Sequence, residues 1–452
     1  MRCFMNKNLK KFAELSRERY LLSNAIIPGG TQLFSKRPEI FSPTEWPTYY
    51  VRAKGITITD MHGQKFQDMS QMGVGSCILG YADPYVNKHV KKIIDSGVQS
   101  TLIAVQEMEL AEILISMHPW AKMVRYARSG GEAMSLAVRI ARAASGRDVV
   151  AFSGYHGWND WYLAANLSDA NALDSHLLPG LSASGVPSSL KGSSVGFEFN
   201  KIDEFKKIID FHDGKLAAVV MEPRRSELPL PGYFEEIKEI CDKNGIVLIF
   251  DEITTGWRGN PGGIHLQGSV FPDLAVFSKS IANGFAMSAI VGTSEVMKYA
   301  ATTFMSSTNW SERVGPAAAL ATIRKYEKYS VHEFLRDYGN QVTSGWLKAA
   351  SENGLTVEAE NNGLPALSHF TFLNEFSRGL NVTFTNKMLQ RGWLAHTQFK
   401  PSFAHSDKVI SKYLRDVNIV FSELSKMINE GDQLLEDISK KYPSPSIPRL
   451  TK

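Results

Sequence analysis

Between residues 123 and 293 the chain repeats one pattern, in which a short apolar or β-branched run is followed by a helical stretch and then by another apolar run. The runs are Val-Val-Ala-Phe at 149–152, Leu216–Met221, Ile-Val-Leu-Ile-Phe at 246–250, Leu274–Phe277 and Ala-Ile-Val at 289–291. A strand that is apolar at every position is buried on both faces. Such strands alternating with helices fold as a mainly parallel sheet covered on both sides. Sheets of this kind bind ligands in the crevice beyond the carboxyl ends of their strands. The polar residues that directly follow each run are therefore the first candidates for chemistry.

The rest of the chain is read around that segment. With 452 residues and 43% apolar content it can bury a large core in two or three structural units. Changes of pattern divide it into an N-terminal helix and hairpin segment (1–68), a large ligand-binding domain (69–320) and a C-terminal small domain (321–452). The first segment reads as a helix, a Pro-Gly-Gly break at 28–30 and a hairpin whose second half covers Ile-Thr-Ile-Thr-Asp-Met-His-Gly at 56–63. In the last, Ile410, Tyr413, Leu414, Val417, Phe421 and Leu424 recur at helical spacing and predict an amphipathic helix. The Pro-Ser-Pro-Ser-Ile-Pro stretch from Pro443 reads as a loose terminus.

Charge and cysteine usage exclude several classes of function. The 50 basic and 46 acidic residues are interspersed and leave a net charge of +4, so no basic block calls for nucleic acid or a membrane. Cys3, Cys77 and Cys241 have neither the number nor the spacing for a disulfide framework or a zinc site, so no metal is expected. A reducing, cytoplasmic compartment fits. Lys7, Lys10 and Lys11 precede Phe-Ala-Glu-Leu-Ser-Arg-Glu-Arg, which charge interrupts too often for a signal-peptide core. No apolar run reaches the roughly 18 residues of a spanning helix.

The run at 246–250 leads into Asp251, and Leu274–Phe277 leads into Ser278 and Lys279. A lysine amine there can form an imine with an aldehyde cofactor, and a carboxylate on a neighbouring edge can keep a pyridine nitrogen protonated. Either residue alone is common in solvated loops; 28 positions apart, they fit one strand-loop-strand excursion into one crevice. Ser129-Gly130-Gly131 precedes a helical face formed by Ala133, Leu136, Ala137, Ile140, Ala141 and Ala144, which puts two glycines at a helix N-terminus where backbone N–H groups attract phosphate. The run at 149–152 delivers Tyr155, able to stack on a planar ring, with His156 packing beside it. Leu216–Met221 delivers Glu222, Arg224 and Arg225, the guanidiniums suiting an anionic substrate group.

In this order the residues resemble the class III aminotransferases of pyridoxal phosphate (PLP) fold type I, especially the branch of glutamate-1-semialdehyde aminomutase. The likeness runs through Ile-Pro-Gly-Gly at 27–30, Ile-Leu-Gly-Tyr-Ala-Asp-Pro at 78–84, Ser-Gly-Gly-Glu-Ala at 129–133 and Tyr-His-Gly at 155–157. It continues through Glu222-Pro223, Ile-Phe-Asp-Glu-Ile-Thr-Thr-Gly at 249–256, Lys279 and Pro-Ser-Phe-Ala-His at 401–405. The resemblance implies an α/β fold: a large domain with a mainly parallel seven-stranded sheet covered by helices, plus a smaller α+β domain. It also implies PLP as cofactor, Lys279 as the Schiff-base lysine and proton carrier, and Asp251 as partner of the pyridine nitrogen. Ile253 would support the ring, Tyr155 stack on its other face, Gly130 and Gly131 bind phosphate, and Glu222 stand behind them. Thr308, in Phe-Met-Ser-Ser-Thr-Asn-Trp-Ser-Glu at 304–312, would reach the phosphate of a neighbouring subunit, which implies a homodimer.

Two departures separate the chain from the aminomutase. The family's Ser-Gly-Thr is Ser129-Gly130-Gly131 here, which loses a hydroxyl and keeps the backbone donors. The aminomutase's substrate-binding arginine corresponds to Lys36, with Arg37 next, and its Ser-Trp pair falls in Met-Ser-Gln-Met-Gly-Val-Gly-Ser at 69–76. The expected activity is thus transfer from an amino donor such as glutamate to an aldehyde or ketone, with a sugar or specialised-metabolite precursor as the candidate class and Lys36, Arg224 and Arg225 facing an anionic acceptor. A PLP-dependent aminomutase or epimerase and a non-catalytic subunit of the same fold are the alternatives.

Overall fold

A computed structural model describes residues 2–176, 180–224, 227–361, 363–431 and 433–443. The chain forms two compact units, Pro84–His332 and the pair of segments Met1–Asp83 and Glu333–Lys452. Changes of sequence pattern at 68 and 320 precede these divisions for physical reasons. Gly55 and Tyr81 exchange backbone hydrogen bonds of 2.8 and 2.7 Å, which keeps the chain within its N-terminal unit past residue 68. The helix Val314–Lys328 packs on helices Pro84–Asp95 and Val105–Met117 and so belongs to the central unit.

The central unit is built on a seven-stranded sheet. Its strands are β1 (Met123–Ala127), β2 (Val149–Ser153), β3 (Ser194–Gly196), β4 (Leu216–Met221), β5 (Val247–Asp251), β6 (Leu274–Phe277) and β7 (Ser288–Gly292). They lie in the order β1-β7-β6-β5-β4-β2-β3. Strands β3, β2, β4, β5 and β6 run parallel, and β7 runs antiparallel between β6 and β1. The pattern of apolar runs anticipates five of these strands; β1 and β3 have none. Registers Ser153↔Met221, Met221↔Phe250 and Asp251↔Val276 bring the carboxyl ends of β2, β4, β5 and β6 into one row.

Alternation along the strands feeds two cores. Val150, Phe152, Val220, Ile249 and Val276 meet Ala137, Ile140 and Ala141 of the helix Gly130–Ser145 on one face. Ala151, Val219, Leu248 and Phe250 meet Phe205, Ile237 and Cys241 of the helices Ile202–His212 and Tyr233–Asn244 on the other. Burial on both faces is why these strands carry almost no polar residue before their last position.

In the other unit, strands Tyr50–Lys54, Thr57–Asp60 and Lys65–Asp68 form a meander, and Trp393–Leu394 adds parallel to Lys65–Asp68. The amphipathic helix expected around Ile410 to Leu424 is Asp407–Asn429, with Ile410, Tyr413, Val417, Phe421 and Leu424 buried beside Trp346 and Phe370. His405 is buried at the head of this helix. The Ser402 amide donates to its Nδ1 at 3.0 Å, so the ring proton sits on Nε2 and is donated to the Asp68 carbonyl at 3.0 Å.

Two expectations follow for stability. Ile249 is fully buried, and Ile249→Ala should cost about 2–5 kcal/mol, read as a lower urea midpoint. Burial holds His405 neutral, with its pKa pushed down from 6.5 to about 4. The unfolded chain takes up that proton first, so the contribution of His405 to stability is complete above pH 6.5 and is lost as the pH falls towards 4. The thermal midpoint should fall over that window, and less steeply in His405→Asn.

Candidate active site

Asp251 is the last residue of β5 and is buried, with two partners. Its Oδ1 accepts the Ile253 amide at 3.0 Å, and its Oδ2 lies 2.9 Å from His156 Nδ1. The other nitrogen of His156 lies 3.2 Å from the Ser153 carbonyl, so the imidazole bridges the ends of β2 and β5. The packing role expected of His156 is thus replaced by a direct bond to the carboxylate.

The turn after Asp251 is held by Glu252. Its carboxylate accepts the His265 amide at 2.9 Å, His265 Nδ1–H at 2.7 Å and the Thr255 hydroxyl. Trp120 Nε1–H donates to His265 Nε2 at 3.2 Å, which fixes the His265 proton on Nδ1, facing Glu252. Burial alone would raise the Glu252 pKa, but the bonds from His265 and Thr255 bring it below the usual carboxylate value. Within this clamped turn, the Thr254 carbonyl accepts Arg258 Nε–H at 2.7 Å and its hydroxyl accepts Lys279 Nζ–H at 2.8 Å.

Lys279 follows β6 after an extended Ser278 and opens the three-residue-per-turn helix Lys279–Ala282. Its φ is 39°, in the left-handed region that side-chain-bearing residues avoid. Such strain in a non-glycine residue concentrates at functional positions. The adjoining Ser278 is tied down, donating to the Met287 carbonyl at 3.2 Å and accepting from Ser288 Oγ at 2.8 Å.

Beyond β1, Ser129 is the N-cap of the helix Gly130–Ser145, and Glu132 reaches back to accept the amides of Arg128 and Ser129 at 2.8 and 3.3 Å. A Cβ on Gly130 would come within 2.9 Å of Ile253 Cδ1, and one on Gly131 within 3.1–3.2 Å of Asn159 Nδ2 and Trp158 Nε1. A side chain at Gly131 would therefore press on Asn159 and Trp158, which would have to give by a few tenths of an ångström. Asn159 also donates to the Gly131 carbonyl at 2.5 Å. On the other side, the Tyr155 amide donates to Glu222 Oε2 at 3.1 Å, and Gly154 has a φ of 114° with its Cα hydrogen turned towards the same carboxylate. Tyr155 and Glu222 help to line a cavity of about 520 Å³ with His176 and Asn200.

Lys279, Asp251, Ile253, Gly130, Gly131, Tyr155 and Glu222 therefore belong to one unit and are linked through the ends of its strands. Thr308 is exposed in the same unit, at the start of the short helix Thr308–Ser311, and its carbonyl accepts Gln99 Nε2–H at 2.8 Å. That helix is tied to the glycine turn, since Trp310 Nε1–H donates to Glu132 at 3.0 Å and Arg128 donates to the Trp310 carbonyl at 2.7 Å. Arg224 is half-buried after β4, and Arg225 lies outside the described residues. Lys36 is exposed in the other unit, where Met72, Gly73, Val74 and Gly75 form a left-handed turn with φ of 43–81° in the segment that departs from the aminomutase. Thr254, Trp158 and Asn159 were given no role by sequence reasoning. Thr254 stands in a recognisable motif, but its contact with Lys279 depends on the pairing of β5 with β6.

An amine, a buried carboxylate, a glycine-paved helix N-terminus and an aromatic ring along one sheet edge are the groups that PLP chemistry requires. Comparison with known proteins agrees. The model of the family described as aminotransferase class-III matches residues 41–364. A 3-aminobutyryl-CoA aminotransferase of Cloacimonas acidaminovorans is 29% identical over 430 residues, covering 92% of this chain and 99% of that protein. A 2'-deamino-2'-hydroxyneamine transaminase of Streptomyces kanamyceticus is also 29% identical, over 81% of this chain and 90% of its own. Among solved structures, an omega-transaminase of Sphaerobacter thermophilus superposes with a TM-score of 0.79 at 25% identity, covering 91% and 98% of the two chains. The chain belongs to the class III aminotransferases, enzymes that use PLP.

Proposed function

We propose that the protein moves an amino group from a small-molecule donor, an amino acid such as glutamate, to an aldehyde or ketone acceptor, with Lys279 as the proton carrier. The contact that carries this reading is Lys279 Nζ held by Thr254, in the turn that directly follows the buried Asp251 carboxylate. PLP, when bound, supplies the aldehyde that receives the amine and the ring that draws off the electron pair. Asp251, steadied by His156 and the Ile253 amide, holds a proton on the ring nitrogen. Ile253 and Tyr155 would hold the ring. Glu222 orients Tyr155 through its backbone amide, and the N–H groups of Gly130 and Gly131 take the phosphate.

The acceptor we favour is a sugar or specialised-metabolite carbonyl, which the relative named for 2'-deamino-2'-hydroxyneamine supports. Arg224, whose pKa burial pushes down with partial recovery from Glu252, is suited to an anionic group on it. Leu102, Ile103 and Phe304 are more than 80% exposed. Apolar surface of that kind near Thr308 favours a homodimer in which Thr308 reaches the partner's phosphate. No helix among the described residues is long and apolar enough to cross a membrane, and the cysteine usage favours the cytoplasm.

The test is a half-reaction screen on purified protein, adding amines and following conversion of the bound cofactor to pyridoxamine phosphate by absorbance. Lys279→Ala should lose about 10²–10⁴-fold in that conversion. A protein that binds no PLP would sink the reading, and turnover of a single substrate with no carbonyl partner would move it to a mutase or epimerase. Thr308→Ala should weaken PLP binding while sedimentation still shows a dimer; a wild-type monomer at micromolar concentration would refute the shared site.

A further inference from the structure

We propose that Thr254 is the positioning residue for Lys279, holding its amine in place in both protonation states and setting its proton affinity. This deepens the reading of Lys279 as the reacting amine and rests on it. Lys279 Nζ donates to Thr254 Oγ1 at 2.8 Å, and the threonine that receives it is fixed from every side. Its carbonyl accepts from the buried Arg258 at 2.7 Å. The residue before it bonds Asp251, the residue after it bonds Glu252, and the Glu252 amide donates to the Val276 carbonyl at 2.9 Å. Val276 lies on the strand that leads to Lys279, so donor and acceptor sit in the segments that directly follow two paired strands.

A hydroxyl is the suitable partner for an amine that must gain and lose a proton. It accepts from the ammonium, and by rotating it can donate to the lone pair of the neutral amine. A carboxylate in its place would favour the ammonium alone, and a methyl group would hold neither state. Because a charged donor makes the stronger bond, Thr254 tilts Lys279 towards the protonated form without fixing it there.

The experiment uses the holoenzyme with its cofactor in the pyridoxamine form, where Lys279 Nζ carries no covalent bond to it. Trace acetic anhydride labels amines across the neutral to alkaline range, and peptide mass spectrometry reads Lys279 against Lys348, whose side chain is 76% exposed. Thr254→Val, which keeps the volume and removes the hydroxyl, should move the Lys279 labelling midpoint down by about 0.5–1 pH unit. It should also lower kcat by roughly 10-fold with a smaller effect on KM. Thr254→Ser should restore both. A midpoint unchanged in Thr254→Val, or displaced equally in Thr254→Ser, would overturn the assignment. Failure of the parent reading shows separately, as a Lys279→Ala protein that still aminates its cofactor from a donor amine.

Discussion

Glu252 keeps both carboxylate oxygens engaged inside the protein, one by His265 through ring and backbone, the other by the Thr255 hydroxyl. An isolated carboxylate in that position would carry a desolvation penalty of several kcal/mol, so the anion is tolerable only because these donors converge on it. What the convergence secures is the shape of the turn from Asp251 to Gly256. The Gly256 amide closes it on the Glu252 carbonyl at 2.7 Å, and the Glu252 amide anchors it to β6. Three side chains of different chemistry then leave a short stretch in set directions, with Asp251 towards His156, Ile253 beneath Gly130 and Thr254 towards Lys279.

The sheet gives that turn its neighbours. Parallel strands in matched register end in a row, and each end delivers a loop to the same edge. The antiparallel β7 closes the row, bringing Ser288 against Ser278. Asp251 and Lys279 rest on a platform buried on both faces, while the hydrogen bonds among the loops cross between strands. Precision at the edge comes from those crossings, since a strand end alone leaves its loop several conformations.

How much of this is legible in the sequence depends on which physical signal carries each element. Strands β2, β4, β5, β6 and β7 are apolar throughout because they are interior, and they can be read directly. Strands β1 and β3 lie at the sheet's edges, partly exposed and, in β3, only three residues long, so Met-Val-Arg-Tyr-Ala and Ser-Val-Gly leave no apolar run to find. At the site, Lys279, Asp251 and Glu222 stand out because a charge follows an apolar run within two residues. The His156–Asp251 bond and the Thr254–Lys279 contact join residues 95 and 25 positions apart and exist only once β2, β4, β5 and β6 are paired. Gly131 was visible as a departure from Ser-Gly-Thr, but its tight approach to Trp158 and Asn159 was not, since no local pattern connects them to it.

The left-handed backbone at Lys279 has a consequence for how such a chain can change over generations. Conformations of this kind suit glycine or asparagine and cost other residues about 1–3 kcal/mol. At this position the backbone favours glycine or asparagine, while the Thr254 hydroxyl that accepts from the amine favours lysine. A single substitution towards the backbone's preference relieves that strain and gives up the bond to Thr254. A chain that exchanged this lysine for glycine would relax the backbone and lose a bond between the turn after β5 and the turn after β6.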